Sequence, residues 1–129
     1  MTYVDTSVGL AYLLDENRCP PNSLWEEDVL VSSRLLDYEI WATIHSRRLE
    51  RIHGEEARQL LARIGLMEMT PLILERAKEP FPLPVRTLDA LHLATIEYLR
   101  ASGQKVVLAS YDDRMNAVAR LLGIPLFKL

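Results

Sequence analysis

Apolar residues change their spacing several times along the chain, and each change marks an element boundary. Met1 to Val4 is a short apolar run stopped by Asp5-Thr6-Ser7, after which Val8, Leu10, Ala11, Leu13 and Leu14 recur at helical spacing. The polar segment from Asp15 to Asn22 contains Pro20 and Pro21 and predicts a loop, because proline lacks the donor that a helix interior needs. Val29-Leu30-Val31 reads as a buried strand. Ser32 and Ser33 then offer N-cap oxygens to a helix running to about Leu49. Gly54 is expected to break that pattern, with a second short helix over Glu55 to Ile64.

Leu66 to Thr70 predicts a weak strand, and Pro71 suits the first turn of the helix after it. Pro80, Pro82 and Pro84 make a stiff connector that neither a helix nor a central strand accepts. A strongly periodic helix follows from Thr87 to Leu99, closed by Ser102-Gly103. Val106 to Ala109 is the clearest strand, Arg114 to Leu122 is a helix closed by Gly123, and Ile124 to Leu129 reads as a last short strand. Strands separated by helices require crossovers, so the pattern predicts an α/β fold with a mostly parallel sheet covered on both faces. No repeat or change of composition divides the chain, and residues 1–129 read as one domain. In such open sheets the working crevice lies beyond the carboxyl ends of the strands.

Composition narrows the function classes. At 129 residues and 49% hydrophobic, the chain can bury one core and is too apolar to be disordered. No apolar run approaches the ~18 residues that would suggest a membrane span. The N-terminus has neither the basic region nor the apolar stretch of a secretory leader, and the single Cys19 excludes an internal disulfide. Both point to a reducing, cytoplasmic setting. A net charge of −3 gives no support to whole-surface nucleic-acid binding, but it leaves room for a local basic strip. Arg47, Arg48, Arg51 and His53, with Arg58 and Arg63 beyond, form one, and it reads first as a solvated helix end favoured by the macrodipole.

Four acids stand out against these elements. Asp5 ends the first strand and Asp112 follows the Val106–Ala109 strand, so both belong to the carboxyl edge of the sheet; each alone is equally an N-cap. Asp89 shares a helix face with Leu93 and Ile96, and Glu39 lies among Leu35, Leu36 and Ala42. A carboxylate in an apolar stripe requires a partner, a shifted pKa or a metal. One such acid is commonly paired with an arginine; two, joined by two strand-end acids, suggest a shared cation. An all-carboxylate set suits Mg²⁺ or Mn²⁺ rather than Zn²⁺. Such ions orient phosphodiesters, activate water and offset charge on a leaving oxygen.

Tyr3-Val4-Asp5-Thr6-Ser7, the Ser33-to-Glu39 stretch, Leu88-Asp89-Ala90-Leu91-His92-Leu93-Ala94 and Leu108-Ala109-Ser110-Tyr111-Asp112 together resemble the four acidic blocks of the PIN domain family. The compact size resembles its VapC-type toxins. Each block is short, and the order and spacing of all four give the likeness its specificity. The resemblance implies a Rossmann-like sandwich and a Mg²⁺-dependent endoribonuclease, with Mn²⁺ as a substitute. It further implies a homodimer held inactive by a VapB-type antitoxin. Carried over by position, Asp5, Glu39, Asp89 and Asp112 are the catalytic acids. Asp5, Asp89 and Asp112 are metal ligands, and Glu39 is a ligand or a water-positioning group. Ser110 stands where the family commonly has Thr and keeps the hydroxyl. Asp113 competes with Asp112 for the fourth position; spacing favours Asp112 and leaves Asp113 as the expected helix cap.

The remaining candidates read more plainly. Thr6 and Ser7 are expected first to cap the opening helix and second to orient Asp5. His92, one turn after Asp89, could hydrogen-bond it but reads first as a packed helix residue. His45 and His53 fit a solvated face as well as an RNA contact; Trp25, Trp41 and Tyr38 fit a core or dimer surface. Cys19 has no base near it in sequence and is not a nucleophile candidate. A haloacid-dehalogenase-type phosphatase would want Asp where Ser7 stands, and a phosphoacceptor receiver would want an early acidic pair and a late Lys. A catalytically silent PIN-like module that binds RNA or protein is the alternative, and acids intact in all four blocks argue against it.

Overall fold

The computed structural model describes residues 1–14 and 17–129. Asp15 and Glu16, the start of the expected proline loop, lie outside the described residues. In chain order the elements are β1 (Thr2–Val4), α1 (Thr6–Leu14), α2 (Asn22–Trp25), β2 (Leu30–Ser33), α3 (Arg34–Ser46) and α4 (Glu50–Ala62). They continue with β3 (Gly65–Met67), α5 (Pro71–Lys78), α6 (Thr87–Ala101), β4 (Val107–Ala109) and α7 (Asp113–Leu121). The four strands form one sheet in the order β3-β2-β1-β4, every neighbouring pair parallel. Tyr3 is in register with Val31 on one side and Leu108 on the other.

Strand alternation divides the core into two. Val4, Leu30 and Ala109 pack with Leu36 and Ile40 of α3 and Leu60 of α4. Their neighbours Tyr3, Val31 and Leu108 pack on the opposite face with Leu93 and Ile96 of α6 and Met115 and Val118 of α7. Period-2 side chains therefore feed both faces of a sheet that has no solvent face, as a parallel sheet requires. On α1, Gly9 permits a close approach: a methyl group there would lie 3.2 Å from Ile40 Cδ1.

Several boundaries differ from the periodicity. Gly54 does not break a helix; it is buried inside α4. The break falls earlier, at residues 47–49, where Arg48 adopts a φ of 53° and the Leu49 amide turns back to the Ile44 carbonyl. The residues from Ile124 onward form no strand. Leu108 donates to the Pro125 carbonyl and accepts from the Phe127 amide, leaving one isolated bridge to Leu126. Pro125 cannot donate, so the ladder does not extend. The four-residue α2 was not legible against its prolines.

Ser33 caps α3 by accepting from the Leu35 amide at 3.0 Å, and Thr70 caps α5 with Pro71 in its first turn. These caps matter for the site because α3 carries Glu39. The carboxyl ends of β1 and β4 lie side by side, with the Asp5 amide bonded to the Ala109 carbonyl at 3.0 Å. From β1 the order runs to β2 on one side and β4 on the other, so the crevice between β1 and β4 is where the topology reverses.

Candidate active site at the carboxyl edge of the sheet

Asp5 leaves β1 into that crevice and is almost fully buried. Its Oδ2 accepts from Ser7 Oγ at 2.7 Å and from Ser110 Oγ at 2.9 Å, while Oδ1 accepts no hydrogen bond among the described residues. Ser7 Oγ also accepts the Tyr111 amide at 3.0 Å, so one hydroxyl ties the ends of β1 and β4 together. Ser7 thus orients Asp5, as the sequence suggests, but neither it nor Thr6 caps α1. Thr6 points instead to Glu39, donating to Oε1 at 2.8 Å.

His92 is the residue whose role changes most. Its ring is 1% exposed, and Nε2 lies 2.7 Å from Glu39 Oε1 and 4.0 Å from Asp5 Oδ1. Nδ1 lies 2.7 Å from the Tyr3 hydroxyl. The bond to Asp89 that sequence spacing allows is not made. Burial pushes the Tyr3 phenol well above its usual range, so Tyr3 keeps its proton. The Glu39 carboxylate can only accept, so Nε2 carries a proton and donates to it, and the Tyr3 hydroxyl is placed to donate to Nδ1. Both ring nitrogens are engaged, and the acids that looked free of histidine have one among them.

Asp89, in the first turn of α6, and Asp112, just before α7, share a single guanidinium. Arg86 Nε donates to Asp89 Oδ2 at 3.1 Å and Nη2 to Asp112 Oδ2 at 2.6 Å. Burial pushes the Asp89 carboxyl above its usual range; the bond from Arg86 opposes this, and the negative charges of Asp112 and Asp5 add to the rise. Asp89 thus feels the other acids. Asp112 also caps α7, its Oδ1 accepting the Met115 amide at 3.0 Å. The cap expected at Asp113 belongs to Asp112; Asp113 is exposed in the first turn. Capping needs extended backbone one residue before the helix, and Asp112 has it.

The four acids come from four separated segments: Glu39 is hydrogen-bonded to His92, Asp5 to Ser7 and Ser110 with its other oxygen 4.0 Å from His92 Nε2, and Asp89 and Asp112 share Arg86. Among the described residues, no three His, Cys, Asp or Glu side chains are drawn tightly enough to ligate one ion as they stand. The donor chemistry nevertheless fits an oxygen-preferring divalent cation. All the donors are carboxylates, Asp5 Oδ1 and Asp89 Oδ1 carry no hydrogen bond among the described residues, and a guanidinium already lies across two of the acids. Asp5, Asp89 and Asp112 are the side chains that could hold such an ion.

The surroundings suit a polyanion. Glu39, Arg86, Thr87, Leu88 and Asp89 line one concavity of about 370 Å³. A cleft of about 710 Å³ runs from Ser7 and Asp112 past Tyr111 to Arg18 and Arg47. Arg18 lies 5.4 Å over the Tyr111 ring and donates to the Tyr111 carbonyl at 2.8 Å. Of the basic stretch noticed in sequence, Arg47 reaches this cleft, whereas Arg58 and Arg63 cover Trp41 and Trp25. A separate apolar groove of about 660 Å³ between α5, the proline connector and α6 contains none of the four acids. Sequence reasoning overlooked Arg86 and Tyr3. The first had a signal, since Arg86 lies three residues before Asp89 on one helix edge. Tyr3 had none, because its partner is 89 residues away.

A family model of the PIN domain matches residues 2–121. The chain is 33% identical over 128 residues to Ribonuclease VapC46 of Mycobacterium tuberculosis, covering 95% of this chain and 92% of that protein. It is 26% identical over 129 residues to Ribonuclease VapC35 of the same species, covering 96% and 93%. A solved toxin–antitoxin complex from Klebsiella pneumoniae contains a chain with the same fold, at a TM-score of 0.69 and 20% identity, covering 99% of this chain and 97% of that one.

Proposed function

The chain belongs to the PIN domain family, with VapC-type ribonucleases among its relatives, and on that premise we propose that it is a toxin of a type II toxin–antitoxin pair that hydrolyses RNA. The observation that carries the reading is the meeting of Asp5, Glu39, Asp89 and Asp112 at one sheet edge. Four separated stretches of chain contribute them, and they carry more negative charge than one arginine offsets. Mutual repulsion among such acids costs fold stability, whereas a divalent cation and a phosphodiester would both use it.

Mg²⁺, with Mn²⁺ as a substitute, would supply charge neutralisation for the phosphodiester and Lewis acidity toward water. The chain's own residues do the rest. Ser7 and Ser110 fix one oxygen of Asp5 and leave the other without a hydrogen bond among the described residues. Thr6 and His92 fix Oε1 of Glu39, leaving Oε2 to take a proton from the attacking water. The water oxygen bonds to phosphorus as the P–O3′ bond breaks, and the departing oxygen takes its proton from solvent. The products are a 5′-phosphate and a 3′-hydroxyl. Arg18 and Arg47 line the path of the flanking phosphates.

The same reading supplies a VapB-type antitoxin as the inhibitory partner, a homodimer as the assembly and the cytoplasm as the setting. No helix among the described residues is long and apolar enough to cross a membrane. Light scattering on the isolated protein checks the dimer. The function is checked with protein purified away from any partner: RNA should be cut with Mg²⁺ or Mn²⁺ and protected by chelator. Asp5→Asn and Asp89→Asn should each lower kcat by about a hundredfold or more without unfolding. Full activity in both variants, or no metal-dependent cleavage by the unaltered chain, would leave a silent RNA- or protein-binding module instead.

A further inference from the structure

Glu39 is held by a relay that begins on the far face of the sheet. Tyr3 points away from α3, into the core beneath α6, yet its hydroxyl meets His92 at 2.7 Å. His92 leaves α6 and reaches Glu39 of α3 at 2.7 Å, and Thr6 of α1 donates to the same Oε1. Donors from two elements thus meet on one oxygen of Glu39, and a third element, β1, backs one of them through Tyr3. A buried histidine that served packing alone would need no carboxylate so near the cleft, and Leu would fill the space without a polar group to satisfy.

We infer that His92 is a positioning residue for the hydrolytic step, locked in one tautomer by Tyr3 so that Glu39 keeps Oε1 turned inward and presents Oε2 to the attacking water. This rests on the nuclease reading above. The physical reason is directional. A carboxylate that can rotate offers either oxygen in many orientations, whereas two donors on Oε1 fix the carboxylate plane and with it the lone-pair directions of Oε2. Glu39 requires the proton on Nε2 because a carboxylate only accepts, and Tyr3 holds the ring in that form by offering its O–H to Nδ1. Glu39 lines the same concavity as Arg86 and Asp89, which is open to water and substrate.

Three substitutions separate positioning from packing. His92→Leu keeps volume and loses the donor; His92→Gln keeps a donor amide near the Nε2 position; Tyr3→Phe keeps the ring and loses the phenol. On one RNA substrate at saturating Mg²⁺, His92→Leu should lower kcat about a hundredfold with KM within about threefold of the unaltered chain. His92→Gln should recover most of that loss. Tyr3→Phe should lower kcat about three- to tenfold. Nitrogen-15 spectra of the folded protein should show His92 protonated at Nε2 and bare at Nδ1, and Tyr3→Phe should admit the other tautomer. A folded His92→Leu with unaltered kcat overturns the inference, as does a Gln variant no better than Leu. Should the Leu variant not fold, a proton on Nδ1 in the unaltered chain overturns it by itself. If the unaltered chain does not cut RNA with metal, the nuclease reading fails and takes the relay with it. Cleavage that ignores His92 sinks the relay alone.

Discussion

Arg86 holds one positive charge against two carboxylates, and its side chain is 66% exposed. In the metal-free protein it offsets repulsion between Asp89 and Asp112, but it takes up Oδ2 of each, oxygens a divalent ion would also seek. Arg86→Gln is therefore expected to lower the melting temperature without metal and to tighten Mn²⁺ binding, about three- to tenfold by calorimetry. Asp89→Asn should act oppositely on stability. Burial and the neighbouring acids outweigh Arg86 at that carboxyl, so removing its charge should stabilise the metal-free protein by about 0.5–1 kcal/mol in urea unfolding. At this scale the acid types and their spacing were legible, because a carboxylate in an apolar stripe is visible in one dimension. The guanidinium that links Asp89 to Asp112 was not, since 26 residues separate Arg86 from Asp112.

Elements translate local capping into site geometry. Ser33 holds the first turn of α3, and Glu39 follows less than two turns later. Ser33→Ala should cost about 1 kcal/mol by chemical denaturation, because it leaves the Leu35 amide without its acceptor. Activity should fall further than that cost alone explains if α3 shifts. Asp112 combines a cap with a site charge, and two substitutions divide the roles. Asp112→Asn keeps an acceptor for the Met115 amide and should leave stability nearly unchanged while activity falls; Asp112→Ala should lose both, with about 1 kcal/mol of stability. Sequence reading placed α5, α6, β4 and α7 within a residue or two, because proline, glycine and periodicity all mark them. It misplaced the break between α3 and α4. Gly54 looked like a stop by propensity, but it lies buried inside α4, where packing outweighs its low helix propensity. The actual turn uses Arg48 in a left-handed conformation that its residue type does not announce.

At the scale of the whole molecule, the charge on Asp89 opposes folding until a cation joins it. Asp89 keeps its proton to higher pH in the folded chain than in the unfolded one, so between those two values the native state binds more protons. Stability of the metal-free protein should therefore fall as pH rises through that window, just above the usual carboxylate range, and Asp89→Asn should flatten the fall in a series of thermal scans. Mg²⁺ should raise the melting temperature at neutral pH and lose that effect in Asp5→Asn, because a ligand that binds only the native state stabilises by mass action. The sequence by itself determined the α/β class, the parallel sheet and the edge at which the acids emerge. Apolar period and turn residues are local quantities, and handedness and crossover rules turn them into a topology. Tertiary structure alone decided the pairings among the acids: His92 with Glu39 rather than Asp89, Arg86 across two carboxylates, and Asp112 rather than Asp113 as the cap. Hydrogen-bond partners depend on ångström distances between residues up to 105 positions apart, which only the closed sheet brings together.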